Sequence, residues 1–550
     1  METLTLEKLD SKKLRGGYYT PQEITEFICR WAIDTPTQNV LEPSCGDGNF
    51  IEAVIERFLE LGVPKNKLFG LVQGVELMPQ EAEKAKNRAK AFGLNSNTIL
   101  NLDFFTFLNE LDENKKFDVV VGNPPFIRYQ NFPEEHRLKA FDMMNEIGLK
   151  PNKLTNIWVP FLVLSSNLLN ENGKLGMVIP AELFQVKYAS ETRIFLSKFF
   201  PRITIVTFKK LVFKEIQQEV VLLLCEKNIT DNKGIRVVEV NTLNELKNLD
   251  INAIQKEEVK VLEHNSEKWT KYFLEEKEIQ YLRKVKADPR IKLAGEFMIT
   301  NVGLVTGINE FFMINEKTAT EWNIKKYTKK VVSRSNHFKG IFFNDSDFID
   351  NAEANIEGYL FFPPDVDFNE LPEECKNYIR FGESNEFHKG YKCRIRKRWY
   401  ITPSIYTPDG FALRQVGDYP KIIINKTDAS STDTIHRVRF KTDINPDIIA
   451  VSFLNSLTFA FSEITGRSYG GGVLTFEPTE IGEIPLPILN ENSNIDFDII
   501  DKLIRERRIE EVLDIVDAEL LIKQLKFSKT QVKMFRNIWL KMSNRRQNRK

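Results

Sequence analysis

Cysteine is scarce in this chain of 550 residues: there are five (Cys29, Cys45, Cys225, Cys375 and Cys393), and no two form a CxxC pair. That argues against a disulfide framework or a cysteine-based zinc site, so reduced thiols in a cytosolic protein and no metal centre are expected. Long hydrophobic runs are missing too. Stretches such as Val220–Cys225, closed off by Glu219 and Glu226, fall far short of the roughly 20 residues that a bilayer requires, so no membrane span is expected. The start, METLTLEKLDSKK, lacks the apolar stretch of a secretory signal. Neither sign of charge is in excess, with 77 Lys and Arg against 77 Asp and Glu, which at face value argues against a nucleic-acid partner. No phosphate-cradling GxxxxGK[ST] occurs either. What the chain does have, 42% hydrophobic and 11% aromatic residues, builds large cores and excludes disordered, collagen-like and coiled-coil classes.

The even balance is an average over segregated segments. Residues 521–550 carry ten basic side chains and no acidic one, and KGYKCRIRKR at 389–398 carries six, followed by Trp399 and Tyr400. Alternation of Arg394, Arg396 and Arg398 with Cys393 and Ile395 predicts a half-buried strand with guanidiniums along one face. A positive stripe backed by aromatics suits a nucleic-acid surface.

The first 230 residues alternate short β-rich runs with helical patterns, which predicts an α/β domain on a parallel sheet. Strands are expected at 39–41, 68–75, 98–100, 117–121, 174–179, 202–208 and 219–225, with helices at 22–33, 49–61, 79–92, 156–169 and 191–199. The last two strands leave no room for a crossover helix and should be antiparallel. Ligands of such sheets sit beyond the C-terminal strand ends, where the informative residues cluster. LEPSCGDGNF follows the first strand, with Glu42 at its end and Gly46 and Gly48 in the turn. GVELMP ends the second on Glu76, an acid able to take both hydroxyls of a ribose, and NLDFF follows the third, with Asp103 for an exocyclic amine and Phe104 for an adenine face. Acids in place of a phosphate cradle favour S-adenosylmethionine over NAD or ATP.

The fourth strand runs into Asn123, Pro124, Pro125 and Phe126. Two prolines stiffen the chain and remove two N–H donors, so the Asn123 amide and the Pro124 carbonyl offer acceptors for one NH2 group, beside a stacking ring on Phe126. Two such acceptors suit methylation of an exocyclic amine, whose proton can leave after transfer without a general base.

These motifs, in this order, resemble those of the gamma-class, Taq-type DNA adenine-N6 methyltransferases of type II restriction-modification systems. The resemblance covers residues 15–230 by motif and the remainder by size and position. It implies an α/β, Rossmann-like S-adenosylmethionine-dependent methyltransferase fold with a mixed seven-stranded sheet at 1–230, a connecting segment at 231–295, and a C-terminal α+β target-recognition domain at 296–550 with a basic helical tail. GGYYTPQEI resembles the leading motif and implies cofactor contacts from Thr20 and Pro21. LEPSCGDGNF implies contacts from Glu42, Ser44 and Gly46, while Glu76 falls on the ribose acid and Asp103 with Phe104 on the adenine pair. TNIWVPFL implies Asn156 in the cofactor pocket. NPPF matches the catalytic tetrapeptide, with Phe126 where many members have Tyr, and LVFKEIQQEVVLLL implies that Phe213 sandwiches a flipped adenine against Phe126.

By the same resemblance the partner is double-stranded DNA, the location is the cytoplasm of a bacterium or archaeon, and a separate restriction endonuclease acts on the same sites. A monomer is expected, since each strand can be methylated in its own event. Other amines, namely cytosine N4, an RNA base or a protein glutamine, remain alternatives, as does a catalytically silent DNA-binding subunit.

In the second half NVGLVTGINEFFMIN reads as strand, glycine turn and strand, and GRSYGGGVLTFEPTEIGEIPLP sets three glycines after Arg467 and Tyr469. Lys389, Lys392, Arg394, Arg396, Arg398, Trp399, Arg467 and Tyr469 are the expected DNA contacts. A loose PD…ExK pattern at Pro364, Asp365, Glu374 and Lys376 lacks framing strands and reads as a chance match. The motifs begin by Gly16, so no nuclease is expected ahead of them.

Overall fold

The computed structural model describes residues 19–128, 131–209, 219–403, 405–441, 443–469 and 471–548. Phe213 and the first part of the leading motif, Gly16 to Tyr18, lie outside the described residues, and of Tyr469 only the backbone is described. The chain forms two compact units, one of residues 1–279 with 548–550 and one of 280–547.

The first unit is built on an eight-stranded sheet. Its strands are β1 (Val40–Glu42), β2 (Val72–Glu76), β3 (Ile99–Asn101), β4 (Phe117–Gly122), β5 (Leu169–Pro180), β6 (Arg202–Phe208), β7 (Val220–Glu226) and β8 (Gly234–Val240), in the order β3-β2-β1-β4-β5-β7-β6-β8. β7 runs antiparallel to both β5 and β6, and the other pairings are parallel. Seven strands fall within a few residues of their predicted positions, because most are apolar runs buried on both faces.

The eighth corrects the expectation of seven strands and of a mere connector after residue 230. GIRVVEV pairs in parallel with β6 as the sheet edge. Gly234 is required where β8 begins: its φ is +138°, and a Cβ there would lie 2.2 Å from the Lys260 carbonyl oxygen. That carbonyl accepts from the Ile235 amide, which ties the following segment onto the sheet.

The helices are α1 (Gln22–Ala32), α2 (Asn49–Glu60), α3 (Pro79–Ala91), α4 (Phe104–Glu110), α5 (Glu134–Glu146), α6 (Trp158–Asn167) and α7 (Ser190–Phe199). α1 buries Ile24, Phe27, Ile28 and Trp31, the 3–4 spacing of one helix face. α3 buries only Ala82, Ala85 and Ala89, a face of small residues that permits close packing. Gly48 is part of that approach: a Cβ on it would lie 2.9 Å from the Ala85 backbone. Among the described residues no single helix is long and apolar enough to cross a membrane.

The second unit is α+β. Its largest sheet has five strands, ordered Met298–Asn301, Ile435–Phe440, Gly410–Leu413, Ile422–Asn425 and Phe342–Phe343, and smaller sheets of four, three and two strands surround it. Two expectations are corrected here, and the helix expected at the C-terminal end is found packed. NVGLVTGINEFFMIN holds a helical turn, Asn309–Phe312, ahead of a two-residue strand, Met313–Ile314. The 389–400 run is helical rather than extended, with turns at Phe387–Lys389 and Tyr391–Arg394. Arg394 ends the second turn while Arg396 and Arg398 lie in the bend beyond it, so the three do not share one strand face. The C-terminal segment is a packed helix, Lys529–Gln547, which buries Val532, Phe535, Ile538, Trp539 and Met542. Its Arg546 is only 2% exposed and ion-pairs at 2.8 Å with the equally buried Glu463.

Candidate active site at the strand ends

β3, β2, β1 and β4 are neighbours and all parallel, so their C-terminal ends line one edge of the sheet. Each end is followed by chemistry: Asp103, Glu76, Glu42 and Asn123 in spatial order. Strands sit about 4.8 Å apart, so this row extends over roughly 15 Å.

Glu76 is held rigidly, its two oxygens accepting from the Gly46 amide at 2.9 Å and the Met78 amide at 2.7 Å. Burial raises its pKa, against the pull of those two amides. Glu42 is 2% exposed and its Oε2 accepts no hydrogen bond among the described residues. Burial, then repulsion from Glu76 and Asp47, pushes its pKa well above the ordinary glutamate value. Asp47 pairs with Arg88, whereas no cation pairs with Glu42 among the described residues. The two glycines of the turn serve different ends. Gly48 makes room for α3, while Gly46, at φ +52°, has nothing within 4 Å of the place a Cβ would occupy.

Asp103 caps α4: its Oδ2 accepts from the Thr106 amide at 3.0 Å. No hydrogen bond to its Oδ1 is found among the described residues. His136 of α5 brings Nδ1 to 3.3 Å from Asp103 Oδ2, a neighbour the sequence did not point to. Phe104 corrects the expectation of an adenine-covering ring. It is fully buried, stacked on Phe161 with ring centroids 4.9 Å apart, and serves the core between α4 and α6.

Asn123 donates through Nδ2 to Thr20 Oγ1 at 3.1 Å, which turns the amide nitrogen toward Thr20 and the amide oxygen away from it. Asn49 donates to the Thr20 carbonyl at 3.2 Å, and Ser44 Oγ reaches the Asn123 carbonyl at 3.5 Å. Thr20 and Asn123 are 103 positions apart, so nothing local in the sequence could reveal that contact. The Pro124 carbonyl accepts no hydrogen bond among the described residues, and neither Pro124 nor Pro125 has an N–H to donate. Phe126 is half-buried, with part of its ring against the core of the unit. Pro21 is the N-cap of α1, and Asn156 lies buried just ahead of α6, where the Ile127 carbonyl accepts from the Ile157 amide.

The expected DNA contacts of the second unit are scattered in role. Arg398 meets Asp365 at 2.7 Å and Asp367 at 2.6 Å, and Arg467 meets Glu480 at 2.8 Å. Lys389 pairs with Glu386. Arg396 donates to the Val305 carbonyl and lies over Phe312, and Trp399 packs on Phe311 and donates to Glu383. Lys392 lies over its neighbour Tyr391, and Arg394 is exposed with no hydrogen bond or ion pair from its side chain among the described residues. In the PD…ExK pattern Asp365 is taken by Arg398 and Glu374 by Lys326, and no metal-holding group of acids, histidines or cysteines occurs among the described residues.

Residues 3–293 match the N-6 DNA methylase family, and residues 266–521 match the C-terminal domain of type II methyltransferase M.Eco57I. The chain is similar to type II methyltransferase M.AccI of Acinetobacter calcoaceticus, 24% identical over 518 residues that cover 90% of this chain and 88% of the relative. It is similar at 21% identity to M.XamI of Xanthomonas campestris pv. amaranthicola, with 86% and 85% covered. Among solved structures, the type IIL restriction-modification enzyme MmeI in complex with DNA shares the fold at a TM-score of 0.57 and 13% identity, over 94% of this chain and 73% of that one. The DrdV–DNA complex gives 0.52 and 13% over 94% of this chain, which spans 58% of the DrdV chain.

Proposed function

The chain belongs to the N-6 DNA methylase family, and on that premise we propose that it methylates N6 of an adenine flipped out of duplex DNA, with S-adenosyl-L-methionine as the methyl donor. The observation that carries the reading is the pair of acceptors at the end of β4: an Asn123 amide oriented by Thr20, next to a Pro124 carbonyl that accepts no hydrogen bond among the described residues. Together they can accept both hydrogens of one exocyclic amine. Held so, the nitrogen lone pair is drawn out of conjugation with the ring and becomes nucleophilic.

The site's other residues fit the donor. S-Adenosyl-L-methionine supplies an electrophilic methyl group on a cationic sulfonium and carries a ribose, an adenine and a charged amino group. Glu42, buried without a cation, suits a positively charged ligand, and the open side of Gly46 leaves its backbone bare for close contact. Glu76 is fixed for ribose hydroxyls and Asp103 Oδ1 is open to an adenine amine. Pro21, Ser44 and Asn156 complete this proposed set, Thr20 acts through the Asn123 amide it orients, and Phe104 supports the set from the core.

Asn123 and Pro124 orient the target amine, and Phe126 with Phe213 is proposed to hold the base, which repays an unstacking cost of a few kcal/mol. Asn123 cannot take up a proton, so the surplus N6 proton leaves to solvent after transfer. Positioning supplies the rate. The motif order supports the gamma-class, Taq-type assignment. Similarity to type II methyltransferases along most of the chain supports a role in a restriction-modification system beside a separate endonuclease.

Asn123→Ala tests this reading. Binding of the methyl donor should stay within about twofold, while single-turnover transfer to N6-adenine falls at least about 10³-fold, the loss of stabilisation met only in the transition state. Undiminished transfer, or label recovered on N4 of cytosine, refutes it.

A further inference from the structure

The arginines first expected to touch DNA are largely taken up by acids and carbonyls of the second unit itself, so the groups that read sequence must be sought elsewhere. Specific readout of base edges needs side chains that carry the right donor and acceptor pattern, reach the surface and have no competing partner. Among the described residues of the second unit, a cleft brings three such side chains together. The cleft, of about 400 Å³, is lined by Asn309, Arg334, Asn336, Glu357 and Gln415, with Thr434 among its smaller polar residues.

Arg334, Asn336 and Gln415 are exposed, and their side chains make no hydrogen bond or ion pair among the described residues. In this they differ from Arg398, Arg414, Arg467, Arg505 and Arg546, each of which meets a carboxylate. Their elements hold them firmly. Arg334 and Asn336 flank Ser335 in a turn pinned by the buried His337. Gln415 stands on a strand paired with Val473–Thr475. The chemistry is that of base readout: a guanidinium can take both acceptors of a guanine, an amide can pair with the donor and acceptor of an adenine, and Glu357 can accept from a cytosine amine.

Phosphate-binding charge lies next to the cleft. The loop that ends in Asn309 also carries the basic turn: Arg396 donates to the Val305 carbonyl at 2.8 Å, and a Cβ on Gly307 would lie 2.8 Å from Lys392 Cβ. Arg394, exposed and without a partner, stands on that turn. One loop thus joins groups suited to backbone phosphates to groups suited to base edges.

We infer that Arg334, Asn336 and Gln415, with Asn309 and Glu357 beside them, contact base edges of duplex DNA and set the recognition sequence. The inference rests on the DNA-methylating function proposed above.

The test is to express the full chain and its Arg334→Lys, Asn336→Ala and Gln415→Ala variants in a host without adenine methylation, and to read the methylated motif by single-molecule sequencing. Arg334→Lys keeps the charge and removes only the bidentate fork, so it separates base reading from phosphate binding. The expected result is a motif relaxed at one position per variant, with discrimination there reduced roughly ten- to hundredfold. Melting temperature and donor binding should match the parent, since these side chains support nothing in the fold.

A variant that modifies too little DNA to show a motif is assayed on short duplexes. Weaker binding to the parental motif with unchanged binding to random sequence supports the inference; equal loss on both overturns it and makes the residue a phosphate contact. Variants that all keep the parental motif also overturn it, whatever their rate. If the parent methylates no adenine, the functional reading fails and this inference with it, whereas a parental motif that survives every substitution defeats this inference alone.

Discussion

Replacing Glu42 with glutamine should stabilise the ligand-free protein while weakening its hold on the methyl donor. The carboxylate is 2% exposed, Oε2 has no hydrogen-bond partner, and Glu76 and Asp47 add repulsion. An unsatisfied buried polar group costs about 1–3 kcal/mol, more when charged. Glu42→Gln keeps the shape, leaves a polar amide in the same place and removes the charge and its repulsion, so the excess cost of the charge, about 1–3 kcal/mol, should return where Glu42 is ionised. In a unit of this size each kcal/mol shifts the melting temperature by roughly 2–4 °C, which places the ligand-free variant about 2–12 °C above the parent. A hydrogen bond to a charged group is worth about 1.5–3 kcal/mol, so donor affinity should fall roughly ten- to hundredfold.

Proton linkage gives the same carboxylate a second signature. Its folded pKa is raised, so below the ordinary glutamate pKa folded and unfolded chains are both protonated and nothing is lost. As pH climbs from that value to the raised one the ligand-free fold loses stability, and the loss is complete above it. A cationic ligand favours the ionised form and lowers the pKa again, so its affinity rises with pH across the same window and its binding expels a proton. Thermal melting with and without S-adenosylmethionine, and calorimetry in buffers of different ionisation enthalpy, measure all of this. A ligand-free Glu42→Gln variant that melts below the parent, or an unchanged donor affinity, would refute the reasoning.

Thr20→Val removes the acceptor that orients the Asn123 amide, so kcat should drop about tenfold while donor affinity and the KM for DNA stay within about twofold; Thr20→Ser should restore kcat, and a selective loss of donor affinity would return Thr20 to the cofactor. Arg546→Ala should cost about 3–5 kcal/mol in denaturant unfolding, because Glu463 is left buried and unpaired, and Arg546→Met with Glu463→Leu should recover most of it. An Arg546→Ala variant of parental stability and weaker DNA binding would make the C-terminal helix a DNA contact after all.

Most of the first unit was legible because its strands are apolar runs that stop abruptly at chemically distinctive residues. Glu42, Glu76 and Asn123 each mark such an end, and a parallel order then puts them on one edge. Local patterns failed where a residue's role depends on a distant partner. Gly48 looked like Gly46 until α3 came down on it, and Phe104 looked like a base platform until Phe161 covered it. β8 was missed because it is an edge strand whose apolar residues are interrupted by Arg236 and Glu239, without the continuous apolar run that marked β6 and β7.

The second unit was harder for the same reason. A run of arginines says how much charge is present but not where its counter-charge lies. Arg398 finds its acids 31 and 33 positions back, and Arg546 finds Glu463 83 positions back. The even count of 77 against 77 is therefore realised in part as specific ion pairs inside this unit, which leaves little diffuse positive field. Non-specific affinity for DNA scales with the number of phosphates neutralised, and paired arginines add nothing to that number. A protein so arranged must draw its selectivity from the few polar side chains that the fold leaves exposed and without partners. Arg334, Asn336 and Gln415 drew no notice in the sequence because they form no run and no motif, and only the folded chain brings them to one cleft.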